Sequence, residues 1–132
     1  MTITVTRDPS GRMRHIVRVR SHEVPVDAAV DQGGDDSGPD PHDLYDAALG
    51  ACKALTVLWY AKRKAIPVEA IEVAVSRDAS AEREGVYRLD AQLSVGGDLT
   101  EAQRAELLAV AGKCPVHRLM TAVDTQITTT WK

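Results

Sequence analysis

Cysteine is scarce in this 132-residue chain: there are two, Cys52 and Cys114, and no Cys-x-x-Cys pair of the thioredoxin kind. A chain of this length buries a core of its own, so folding requires neither disulfides nor a structural metal. Charge of one sign is also scarce. A net charge of −3 gives no reason to expect nucleic acid or an anionic membrane as a partner. Long apolar runs are missing. The richest stretch, near residues 47–61, is interrupted by Gly50 and Lys53 and is too short for a membrane span. The opening segment MTITVTRDPSGR has no apolar signal-peptide core. The expectation is a cytoplasmic location. In a reducing compartment a lasting structural disulfide is not expected, so the two cysteines are either reduced core residues or a reactive pair.

What is present reads as one α+β domain over residues 1–132. TITVT alternates, RDPSGR supplies a turn, and MRHIVRVRS sets Val17 and Val19 against Arg14, Arg18 and Arg20. HEVPV predicts a short strand held at a sheet edge by Pro25. Residues 27–40, DAAVDQGGDDSGPD, form an acidic loop without periodicity, of a length that marks a functional segment or a mobile tether. A helix is predicted from Pro41 to about Lys64, with Asp40 as N-cap, Asp43 in its first turn and Pro67 as its stop. It is apolar nearly all round. A domain this small has trouble covering such a helix, which points to a second subunit. AIEVAVSRD and VYRLDAQLSV predict an antiparallel hairpin. Thr100 and Gln103 form a capping box for a second helix ending near Gly112. PVHRLMTAV predicts a short third helix, and DTQITTTWK, rich in β-branched residues, a closing strand.

Cys114 sits at the N-cap of the helix that opens at Pro115, where free N–H groups favour a thiolate and lower its pKa. His117 and Arg118 add positive charge nearby. Cys52 lies mid-helix among apolar residues and on its own reads as a small buried hydrophobe. Cys52, Cys114, His42 and His117 lack the short-range ligand pairs of a zinc site, so no metal is expected. No G-x-S-x-G is present, and GGDDSG is not a phosphate loop. Cys114 and His117 are neighbours on a helix, which leaves a thiol hydrolase or transferase open.

Two segments, GPDPHDLYDAALGACKALTVLWYAKRK and LTEAQRAELLAVAGKCPVHRLMTAV, resemble the OsmC/Ohr family of osmotically inducible and organic hydroperoxide resistance proteins. The resemblance implies antiparallel sheets wrapped around a long central helix in an intertwined homodimer. It implies a thiol peroxidase acting on alkyl or fatty-acid hydroperoxides, without a cofactor. Cys52 would be the peroxidatic cysteine and Cys114 the resolving one. A dithiol, such as a lipoyl protein, would be the reductant. The family opens this helix with Asn-Pro-Glu, its glutamate paired with an arginine. Here the opening is Asp40-Pro41-His42, so His42 stands in the glutamate's place, with Arg7 and Arg12 as the arginine candidates. A non-catalytic dimeric module that binds an apolar ligand or senses redox state is the alternative.

Overall fold

A computed structural model describes all 132 residues. The chain forms two compact units, Met1–Tyr45 and Asp46–Lys132.

The first unit is a three-stranded antiparallel sheet with a long, tied-down loop. Strands β1 (Ile3–Arg7), β2 (His15–Val19) and β3 (His22–Val26) lie in the order β1-β2-β3. Val5 pairs with Val17, and Val17 with Val24, so one row of β-branched side chains crosses the sheet. Pro25 lies on the edge strand β3, where a missing N–H costs no ladder bond on the open side. Arg20 departs from the expected strand face. It occupies the β2–β3 turn with φ of 51°, left-handed as a tight turn requires.

The acidic loop is organised around one carboxylate. Buried Asp27 accepts from the N–H groups of Ala28 (2.8 Å), Asp35 (3.2 Å) and Ser37 (3.0 Å), and from the Ser37 hydroxyl (2.6 Å). The Ser37 hydroxyl and N–H, then those of Ala28 and Asp35, hold the Asp27 carboxyl far below the usual carboxylate range. Gly34 is required here: a Cβ would fall 2.0 Å from the Ala28 carbonyl oxygen. The loop is therefore tied at several points and is no loose tether.

Helix α1 (Pro41–Arg63) begins in this unit and continues into the second. Its start is capped reciprocally: the Asp43 N–H donates to Asp40 Oδ1 (2.8 Å) and the Asp40 N–H to Asp43 Oδ2 (3.0 Å). It ends with Lys62 and Arg63 in the last turn, favourable for the dipole, and Ala65 at φ of 53° turns the chain away.

In the second unit, β4 (Ala70–Asp78) and β5 (Arg88–Gly96) form an antiparallel hairpin with Val73 opposite Leu93. Helix α2 (Glu101–Ala111) starts with the expected Thr100–Gln103 capping box. Gly112 follows it with right-handed φ of −69°, so left-handed freedom is not what ends this helix. Helix α3 (Pro115–Thr121) has Cys114 as N-cap and Pro115 at its first position. The core is Val57 and Ala61 of α1, Ile66, and Leu107 and Ala111 of α2, with Ile71, Leu93 and Leu99 packed against it. Helix α1 lies close on β4: a Cβ on Gly50 would stand 3.1 Å from Val75 Cγ2.

One expectation changes. Residues 124–132 pair with no strand and are exposed throughout. Helix α1, as expected, is left partly uncovered by a single chain. Its inner face carries Asp46, Leu49, Gly50, Lys53, Val57 and Ala61, whereas Leu55 and Trp59 are exposed. No helix is long and apolar enough to cross a membrane.

Candidate thiol site

Cys52 and Cys114 meet in the second unit. Cys114 is fully buried, Cys52 half-buried, and both are free thiols. Cys52 is a near neighbour of Cys114 and helps to raise the pKa of its thiol. Pro115 fixes the start of α3, and the first N–H groups beyond it face the two sulfurs. The Val116 N–H donates to Cys52 Sγ at 3.5 Å, and the His117 N–H to Cys114 Sγ at 3.4 Å. Consecutive amides of one turn thus address different sulfur atoms.

A charge sits beside them. Lys53, next to Cys52, is buried, at 8% exposure. Its ammonium donates to the Ala111 carbonyl oxygen at 2.9 Å, at the C-terminal end of α2, and to His117 Nδ1 at 3.1 Å, which requires the tautomer with Nδ1 as acceptor. Both partners are neutral. His117 therefore reaches Cys114 through its backbone and Lys53 through its ring.

The expected lowering of the Cys114 pKa is overturned. Burial pushes the thiol up from its ordinary value. The His117 N–H and the Lys53 ammonium pull it down, but they do not offset desolvation and the adjacent Cys52. A helix start can be read from Pro115. Complete burial of the capping sulfur cannot.

The remaining predicted residues belong to the first unit. His42 is exposed in the first turn of α1. Arg7 is exposed at the end of β1. Arg12 binds Asp35 through Nε (3.0 Å) and also donates to the Gly34 carbonyl, so it braces the acidic loop. No group of three or more His, Cys, Asp or Glu residues is arranged to hold a metal ion.

Besides Asp27 of the acidic loop, two buried charges on α1 escaped the sequence reading. Lys53 is one. Asp46 is the other: it is 6% exposed, accepts from Arg77 Nε at 2.6 Å and from the Tyr87 hydroxyl at 2.7 Å. Both lie on the inner stripe of α1 with Leu49 and Val57, at the three-to-four spacing that marks one helix face. That spacing was the available signal.

The family model for OsmC-like proteins matches residues 34–130. The chain belongs to the OsmC family. Solved structures agree on the fold. An osmotic stress and detoxification response protein of Psychrobacter arcticus, described as putative, superposes with a TM-score of 0.77 at 20% identity, covering 92% of this chain and 89% of that one. The OsmC-like protein of Mycoplasma pneumoniae gives 0.74 at 19% identity, covering 92% and 87%. The organic hydroperoxide resistance protein OhrB of Bacillus subtilis gives 0.61 at 25% identity, covering 92% of each chain. No curated protein sequence matches significantly. The α+β architecture expected from the resemblance is thus the OsmC-like fold.

Proposed function

We propose that this OsmC-family chain is a thiol peroxidase that reduces organic hydroperoxides through Cys52 and Cys114. The observation that carries the reading is the meeting of the two free thiols at the start of α3, one half-buried and one fully buried. Names among the structural neighbours, OhrB of Bacillus subtilis included, supply the hydroperoxide class.

Exposure supports the division of labour that the resemblance implies. Half-buried Cys52 is the peroxidatic cysteine. Its thiolate attacks the hydroperoxide oxygen, the O–O bond breaks, the alkoxide takes a proton and leaves as an alcohol, and Cys52 becomes a sulfenic acid. Burial holds Cys114 as a thiol until that point. Its sulfur then attacks the sulfenic sulfur, the S–O bond breaks, a disulfide forms and water leaves. An external dithiol returns both cysteines to thiols and is itself oxidised to a disulfide.

The protein works as a homodimer. Leu55 and Trp59 on α1, and Ile127 and Trp131 in the tail, are large apolar side chains left open by a single chain. A second copy would cover them. An alternative built on Cys114 and His117 gains no support, because the His117 ring bonds Lys53 and only its backbone faces Cys114.

The test is mass spectrometry of the reduced protein after one equivalent of cumene hydroperoxide without added thiol. The expected result is rapid loss of two hydrogens and a crosslinked Cys52–Cys114 peptide. The Cys52→Ser chain should neither consume peroxide nor lose mass. Two free thiols after prolonged exposure of the native chain would overturn the reading and favour a ligand-binding module.

A further inference from the structure

We propose that Lys53 is the positioning residue of the disulfide-forming step: it clamps the α2–α3 junction that carries Cys114 against Cys52 and sets a positive charge beside the Cys114 sulfur. The inference rests on the peroxidase reading for its place in a cycle, but not for its physical basis. The Lys53 ammonium grips the chain on both sides of Cys114, at the Ala111 carbonyl before it and at His117 Nδ1 after it. His117 in turn donates its N–H to Cys114 Sγ. The junction is therefore held at three consecutive structural points: the end of α2, the capping sulfur and the first turn of α3.

The titratable groups facing Cys114 are Lys53 and Cys52 from α1 and His117 from α3; α2 offers only the neutral Ala111 carbonyl. Lys53 is the one side chain there that carries a positive charge without a negative partner. A buried ammonium satisfied by neutral acceptors leaves its field available to a nearby developing anion. That anion is the Cys114 thiolate in the step that expels water from the Cys52 sulfenic acid. His42 stands where the family's glutamate would be, and the charge beside the thiols comes in this chain from a lysine adjacent in sequence to the peroxidatic cysteine.

The test starts in the Cys52→Ser chain, where Cys114 is the only thiol and peroxide chemistry plays no part. Ultraviolet thiolate absorbance is followed as pH rises, with and without Lys53→Met. Removing an opposite charge at this range should raise the Cys114 pKa by about one unit or more. Lys53→Arg, which keeps the charge, should restore most of it. Lys53→Gln, which keeps a donor for the Ala111 carbonyl but no charge, should rise like Met and serves if the Met chain does not fold. An unchanged pKa in the neutral variants, or an equal rise in Lys53→Arg, overturns the proposal.

In the chain with both cysteines, Lys53→Met should slow disulfide closure relative to sulfenic-acid formation. Each unit of pKa lowers the thiolate about tenfold and raises its intrinsic nucleophilicity about threefold, leaving closure about threefold slower. Closure at the native rate would overturn the proposal. Absence of both sulfenic acid and disulfide in the native chain would instead sink the peroxidase reading, with the Cys114 titration still deciding the role of Lys53.

Discussion

Asp46 and Lys53 place opposite charges on the same buried face of α1, about two helical turns apart, and the protein answers them differently. Asp46 meets a countercharge and a hydroxyl, Arg77 and Tyr87, both reaching it from the β4–β5 side. There the buried charge meets an opposite charge. Lys53 meets a carbonyl and a ring nitrogen, so its hydrogen bonds are satisfied while its charge is not neutralised. The first arrangement fastens a helix to a hairpin. The second leaves an electrostatic field next to two sulfur atoms. Burial alone does not separate a structural charge from a chemical one; the charge of its partners does.

The largest effect on stability belongs to the Asp46 network. Asp46→Ala removes a buried carboxylate that accepts from both Arg77 and Tyr87, and should cost about 2–4 kcal/mol in urea unfolding, the Arg77 contact being partly open to solvent. A loss near zero would mean the ion pair carries no fastening role.

Tyr87→Phe should cost less, about 1.5–3 kcal/mol, as expected for one hydrogen bond to a charged group. It also sharpens the comparison through pH. Burial, then the hydrogen bond to Asp46, pushes the Tyr87 hydroxyl up to about 12. Between pH 10 and 12 the unfolded chain loses that proton while the folded chain keeps it, so native stability should fall across this window. Tyr87→Phe should remove that part of the slope, measured by unfolding at a series of alkaline pH values.

Lys53→Met should have the smallest effect, within about 1 kcal/mol, because an apolar side chain of similar volume removes a desolvated charge along with its bonds. A loss as large as that of Asp46→Ala would abolish the distinction between the two sites.

Much of this architecture was legible in the order of residues. Asp40-Pro41, Thr100 with Gln103, and Cys114-Pro115 are local capping signals, and each marks a real helix start. Val73 and Leu93 follow the alternation of a hairpin and pair across it. Signals of this kind act within a few residues, so they survive without tertiary information. Lys53 was read as an interruption of an apolar stretch because its acceptors come from α2 and α3, far along the chain. The pKa of Cys114 was misread for a related reason: the helix start is local, and the burial that outweighs it is not. Residues 124–132 have the β-branched composition of a strand, yet no strand pairs with them, and pairing is a tertiary event that composition does not reveal.

The two consecutive amides at Val116 and His117 give the redox state an address on the backbone. Each donates to a different sulfur atom. Once those atoms share a covalent bond, neither can hold thiolate charge, and both amides lose acceptor strength together. Hydrogen–deuterium exchange at these neighbouring positions should therefore quicken on oxidation, while the Gln103 amide, held by Thr100 at the start of α2, keeps its rate. One turn of helix α3 would then read out the oxidation state of a site that is largely hidden from solvent.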